Sequence, residues 1–118
     1  MVKIKHAEKT FQQRQQETIK IMIKYPDRRC IYIEKADSCD NLQDINRHKY
    51  LVPINLSIAQ FIYVVRSRIQ LSKEKALFLY SKNNSLLSGN TSMLELYDKY
   101  KDPDGFFYIT YKSENCFG

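Results

Sequence analysis

The chain has no C-x-x-C pair, and its three cysteines, Cys30, Cys39 and Cys116, are odd in number. That usage speaks against a disulfide framework and against a zinc site. No apolar run is long enough to span a bilayer. The basic start Met1-Val2-Lys3-Ile4-Lys5 is not followed by the apolar stretch of a secretory signal. Enzyme signatures are missing as well: no glycine-rich phosphate loop, no H-E-x-x-H, and no Ser/His/Asp order with a nucleophile elbow. His6 and His48 stand alone and read as surface histidines rather than ligands or bases. There is no internal repeat and no low-complexity tract. These absences predict a single domain that is not an enzyme, needs no cofactor and works in a reducing, cytosolic setting.

What is present is a chain of 118 residues, enough to bury a core without staples. Lys and Arg number 19 against 13 Asp and Glu, a balance of +6. The excess sits at the front, where residues 1–29 hold eight basic residues against three acids. Such a surface suits an acidic peptide, an anionic membrane or nucleic acid. A solvated helix face is the plainer reading of the same charges. No nucleic-acid-binding module is recognisable, so nucleic acid is not an expected partner.

Thr10 and Gln13 form a capping box, Thr at N-cap and Gln at N3. The helix they open carries Phe11, Thr18, Ile19, Met22 and Ile23, and ends at Tyr25 because Pro26 disfavours helical geometry before it. The β-branched and aromatic residues 29–34 predict a strand, and 36–47 a polar loop. Residues 49–52 predict a second strand, antiparallel to the first and stopped by Pro53. Ser57 and Gln60 make a second capping box, before Ile58, Phe61, Ile62, Val65 and Ile69 at helical spacing. A strand over 76–80, turns around Leu86-Leu87, a short helix from Ser92 to Tyr100 and a final strand over 106–111 complete the order. The last strand is apolar on both faces, which predicts a central place in the sheet.

Helix, then ββαβαβ, is the plan of an α+β fold of the β-grasp, or ubiquitin-like, type: a four-stranded mixed sheet with its first and last strands parallel at the centre. A ferredoxin-like layout is the alternative. Within that plan 1–25 is a helical extension, 29–111 the β-grasp core, and 112–118 a tail that extends away from it.

At this point the chain resembles the autophagy ubiquitin-like modifiers, the GABARAP-type proteins. The matching stretches are Phe11 with Arg14 and Glu17, "KYPDR" at 24–28, "IEK" at 33–35, "KYLVP" at 49–53, "QF" at 60–61, "RSRIQL" at 66–71, "ALF" at 76–78, "DGFFYITY" at 104–111, and the aromatic-glycine terminus. They run in order along nearly the whole chain. The resemblance implies two N-terminal helices before the core. It also implies conjugation of Gly118 to phosphatidylethanolamine on autophagosomal membranes. The implied partners are E1-like activating and E2-like conjugating enzymes and a delipidating cysteine protease. Chemically, glycine suits this role: an acyl adenylate or thioester is attacked at the terminal carbonyl, where a Cβ would crowd the nucleophile. Phe117 would anchor the tail in an enzyme groove, and Cys116 reads as a small tail residue.

The resemblance further implies capture of aromatic-x-x-aliphatic peptides from cargo receptors and adaptors, by addition of a strand to the edge at residues 49–52. The aromatic pocket would be lined by Glu17, Ile21, Cys30, Tyr32, Lys49, Leu51 and Phe106. The aliphatic pocket would be lined by Tyr50, Val52, Pro53, Leu56, Phe61, Val64 and Arg68. Arg28, Arg47 and Lys49 would attract flanking acids. Cys30 stands where the family carries proline, Tyr32 replaces a smaller aliphatic residue, and the 36–47 loop is about one residue longer. A sulfur carrier fits poorly, since Phe117 rather than glycine precedes Gly118. An unconjugated peptide-binding adaptor in trafficking is the alternative function.

Overall fold

Thr10 Oγ1 accepts from the Gln13 amide (3.1 Å) and Gln13 Oε1 accepts from the Thr10 amide (2.8 Å), closing the first capping box. They start helix α1, Phe11–Lys24, in the computed structural model of the chain, which describes residues 6–39 and 42–116. One 3-10 turn, His6–Glu8, precedes it. Strand β1 (Arg28–Lys35) pairs antiparallel with β2 (Lys49–Pro53). The second capping box, on Ser57 and Gln60, opens α2 (Ile58–Ile69). Strand β3 (Leu77–Ser81), helix α3 (Met93–Tyr100) and strand β4 (Phe107–Ser113) follow.

The sheet order is β2-β1-β4-β3, with β1 and β4 parallel at the centre. A ferredoxin-like sheet would be antiparallel there. Strand alternation splits the sheet into two faces. Ile31, Ile33, Val52, Phe107, Ile109 and Tyr111 turn towards α2 and α3 and build the main core with Phe61, Val65 and Met93. Cys30, Tyr32, Phe106 and Tyr108 alternate with them, on the face that α1 covers.

Polar contacts help attach α1, beside half-buried Ile21 and Met22. Thr18 is its buried residue, and its hydroxyl donates to the Asp104 carbonyl at 2.7 Å. Arg14 Nε donates to the Asp104 carboxylate at 2.9 Å. Phe11, Ile19 and Ile23, which the sequence places at helical spacing, are exposed instead. Gly105 makes the close approach possible: its φ is +92°, and a Cβ there would lie 2.2 Å from Thr18 Oγ1.

Two expectations need correction at the C-terminal end. Strand β4 runs to Ser113, past the expected end at Tyr111, and a 3-10 turn, Glu114–Cys116, follows. Cys116 is bonded to Cys39, with Cα atoms 4.9 Å apart across a sequence separation of 77. The odd cysteine count predicts no disulfide framework, and in sequence Cys116 reads as a tail residue. Parallel pairing explains the difference. The register sets Lys35 opposite Tyr111, so the segments leaving β1 and β4 emerge at the same end of the sheet. The 36–47 loop is also less polar in effect than its composition suggests. It buries Ala36, Cys39, Leu42 and Ile45, and the Tyr111 hydroxyl donates to the Gln43 carbonyl at 2.7 Å.

Candidate functional site

Strand β2 lies at one edge of the sheet. The ladder with β1 includes the Ile33 amide donating to the His48 carbonyl and the Ile54 amide donating to the Asp27 carbonyl. Antiparallel alternation then turns the amide and carbonyl groups of Lys49 and Leu51 away from β1. The Arg47 guanidinium, donating to the Lys49 carbonyl at 3.1 Å, marks that outward direction. Pro53 has no N–H and closes the edge.

The side chains of this strand part as expected. Tyr50 and Val52 turn to the α2 side, where Tyr50 packs edge-on against Phe61 with ring centroids 5.8 Å apart. Val52 and Phe61 are buried; Pro53, Leu56 and Val64 are half-buried; Arg68 is exposed. The buried pair therefore serves the core first and forms only a floor for anything bound above. The Tyr50 hydroxyl is buried with no hydrogen-bond partner, beneath the Arg47 guanidinium 5.8 Å from the ring.

Lys49 and Leu51 turn to the α1 side, opposite Tyr32 and Cys30 in register. Cys30 and Phe106 are buried, while Ile21, Tyr32 and Leu51 are half-buried. Cys30 is a free thiol, pushed up to about 11 by burial and then by Glu17. Glu17 is shared between two ammonium groups, Lys9 at 3.0 Å and Lys49 at 3.0 Å. Burial pushes its carboxyl up, but the hydrogen bonds from Lys9 and Lys49 outweigh this and hold it below its ordinary value. One carboxylate between two lysines leaves a local charge of +1. Arg28 and Arg47 are exposed at either end of the edge.

His6 is the residue that sequence reasoning misplaced. It is not on the surface but 9% exposed, stacked on Tyr32 at 4.3 Å and edge-on to Phe106 at 4.6 Å. It thus fills the Tyr32–Phe106 end of the expected aromatic pocket. His48 also touches Tyr32, at 5.5 Å, while its Nδ1 bonds the Ile33 carbonyl. An open pocket of about 500 Å³ lies beyond His6, between Tyr32, Glu34, Lys82 and Tyr108, away from the β2 edge.

The His6 ring joins a directed chain. The Tyr108 hydroxyl donates to Asp104 (2.5 Å), so its oxygen must accept from His6 Nε2 (2.7 Å). Nε2 therefore carries the proton, and Nδ1 is left buried without a partner. Protonating Nδ1 would bury an unmatched N–H. Burial, then the charge of Lys49, lower the histidine from 6.5 to about 4, with Arg14 adding to them and Asp104 and Glu17 opposing. The undocked turn then binds a proton more readily than the docked one. Docking is expected to be fully stable above pH about 6.5 and to weaken as pH falls towards 4. An NMR titration of the His6 ring checks this, with a midpoint near 4 expected; a midpoint at 6.5 would show an undocked turn.

Lys9, Asp104 and Tyr108 also reach this site, though no sequence reading assigned them to it. Each depends on the approach of α1 to β4, which no local spacing encodes. Gly118, Phe117, Lys3 and Lys5 lie outside the described residues. Among the described residues, no cluster of three or more His, Cys, Asp or Glu is placed to hold a metal, and no helix is long and apolar enough to cross a membrane.

Comparison with known proteins agrees with this architecture. A family model described as autophagy protein Atg8, ubiquitin like, matches residues 13–118. Autophagy-related protein 8d of Arabidopsis thaliana is 46% identical over 112 residues, covering 94% of this chain and 91% of that protein. Autophagy-related protein 8B of Oryza sativa subsp. indica is 48% identical over 109 residues, covering 92% and 90%. The crystal structure of Trypanosoma brucei ATG8 superposes with a TM-score of 0.88 at 39% identity over 100% of both chains. With the β-grasp sheet, the N-terminal helix and a family match over nearly its whole length, the chain belongs to the Atg8 family of autophagy ubiquitin-like proteins.

Proposed function

We propose that this chain is a modifier rather than a catalyst, conjugated through Gly118 to phosphatidylethanolamine. It would recruit cargo receptors and autophagy factors by binding aromatic-x-x-aliphatic peptides. The carrying observation is the β2 edge: outward backbone groups at Lys49 and Leu51, with Tyr50 and Val52 turned to the α2 face and Leu51 to the α1 face beside Cys30. A peptide adding as a strand gains backbone hydrogen bonds there, and its alternate side chains fall to opposite faces. E1-like and E2-like enzymes would load the glycine, and a cysteine protease would later release the lipid. The protein would pass from cytoplasm to the autophagosome membrane.

The apolar anchors should dominate affinity, since each fully buried side chain contributes about 1.5–3 kcal/mol. Contacts of flanking acids with exposed Arg28 and Arg47 contribute about 0.2–1 kcal/mol each. Lys49 contributes less charge than its type suggests, because Glu17 already engages it. The aromatic anchor meets His6 as well as Tyr32, so it must pack beside the histidine or displace it.

Leu51→Ala is the direct test. Leu51 is half-buried at the edge, so its truncation is expected to weaken a Trp-x-x-Leu peptide by about tenfold, ~1.4 kcal/mol. Fold stability should change by less than that. Titration calorimetry and urea unfolding measure the two. Equal affinity of parent and variant would remove the docking site from the β2 edge.

A further inference from the structure

The Cys39–Cys116 pair lies two residues from the proposed conjugation point. We infer that it is a reversible redox modification site that restrains conjugation when oxidised. The inference rests on the reading of Gly118 as the conjugated residue. Cys39 is wholly buried in the loop after β1, among the main core residues, and Cys116 is 9% exposed. Bonding them ties the tail covalently to the domain. From Cys116, the two residues to Gly118 span at most about 7 Å. Without the bond, Cys116 is held only by non-covalent packing and its 3.4 Å contact with Ser113 Oγ; once these let go, the five residues beyond Ser113 at the end of β4 span at most about 17 Å. The turn between, Glu114–Cys116, is a single 3-10 turn and too short to hold itself. A glycine that must enter a narrow enzyme cleft needs the longer reach.

The exchange balances with a disulfide compound as oxidant. One cysteine thiolate attacks a sulfur of the oxidant, forming a mixed disulfide and releasing one thiolate. The second cysteine thiolate attacks the mixed disulfide and releases the other. The protein loses two electrons and the oxidant gains them; the two protons from the cysteines end on the released thiols. An incoming thiol reverses both steps. In a reducing compartment such a bond forms transiently, as redox-sensing disulfides do. Cys30 does not compete. It lies on the opposite face of the sheet, under α1, and its thiol is pushed up to about 11 by burial, which leaves little thiolate.

The experiment uses the full chain. Protein is oxidised with glutathione disulfide or reduced, and freed of reagent. Each form then meets one set of active conjugating enzymes, ATP, and phosphatidylethanolamine–phosphatidylcholine vesicles. Alkylation under denaturing conditions should count one thiol in the oxidised form and three in the reduced form. Intact mass follows lipid attachment. The oxidised form is expected to be lipidated about tenfold more slowly, or less, than the reduced form. Cys116→Ser, and independently Cys39→Ser, should match the reduced parent after the same oxidant treatment. Equal rates for the two parent forms, or three free thiols after oxidation, would overturn the inference and leave Gly118 conjugation standing. No lipid on any form, with the enzymes active on another Atg8 relative, would overturn the reading of Gly118 itself.

Discussion

Deletion of Gly118 is expected to abolish lipid attachment and to leave the folded domain intact. The reason is chemical. Activation requires a terminal carbonyl that a thiolate and then an amine can reach, and glycine is the residue without a Cβ to obstruct either attack. Deletion would put the larger Phe117 carboxylate at the reacting position. Gly118→Ala adds only a methyl group and tests the crowding alone. Stability should be unaffected, because the described core is complete by Cys116. Intact mass after incubation with active conjugating enzymes, ATP and phosphatidylethanolamine vesicles reads the outcome. One added lipid mass on the parent and none on the deletion is expected. A lipidated deletion variant would move the attachment point elsewhere.

Asp104→Ala is expected to cost about 3 kcal/mol of stability, from the unmatched polar groups it leaves buried. Asp104 is wholly buried. Its carboxylate accepts from Arg14 (2.9 Å), the Tyr108 hydroxyl (2.5 Å) and the Phe106 amide (2.8 Å). Burial pushes its pKa up, but those hydrogen bonds, from Tyr108, Phe106 and Arg14, outweigh burial and hold it below 3.8. A depressed carboxyl stabilises the fold above its unfolded pKa, and that contribution fades as acid protonates it. Alanine removes this contribution at neutral pH. It also frees Tyr108 from its acceptor, so the His6 turn should loosen with α1. Urea unfolding at neutral pH gives the cost, and proton exchange at the α1 amides gives the location. A loss below about 1 kcal/mol would show that α1 is held by something other than this carboxylate.

Local chemistry made much of the fold legible. Both capping boxes form with the hydrogen bonds their spacing implies, because an N-cap and its N3 partner are neighbours in sequence. Residue patterning placed every α-helix and strand to within a few residues, because capping, strand composition and helical spacing are local signals. The doubly apolar stretch at 106–111 marked the central strand. Alternation also sent Tyr50 and Val52 to one side of β2 and Lys49 and Leu51 to the other, opposite Tyr32 and Cys30.

Long-range meetings left no such trace. His6 and Tyr108 are 102 residues apart and share a hydrogen bond. Nothing near His6 in sequence distinguishes it from an exposed histidine. Cys39 and Cys116 meet because β1 and β4 are parallel, so residues leaving both strands arrive at one end of the sheet. Cysteine counting has no access to that register. The exposure of Ile19 and Ile23 was equally hidden, because the packed face of α1 is the one on which Thr18 and Arg14 meet Asp104, with Ile21 and Met22 half-buried. By itself, then, the sequence determined the elements and their order, which follow from short-range pattern and capping, while the edge position of 49–52 came only with the family resemblance. Tertiary structure alone decided which histidine is buried, which cysteines meet and which face of α1 is wet, because those depend on surfaces brought together from distant parts of the chain.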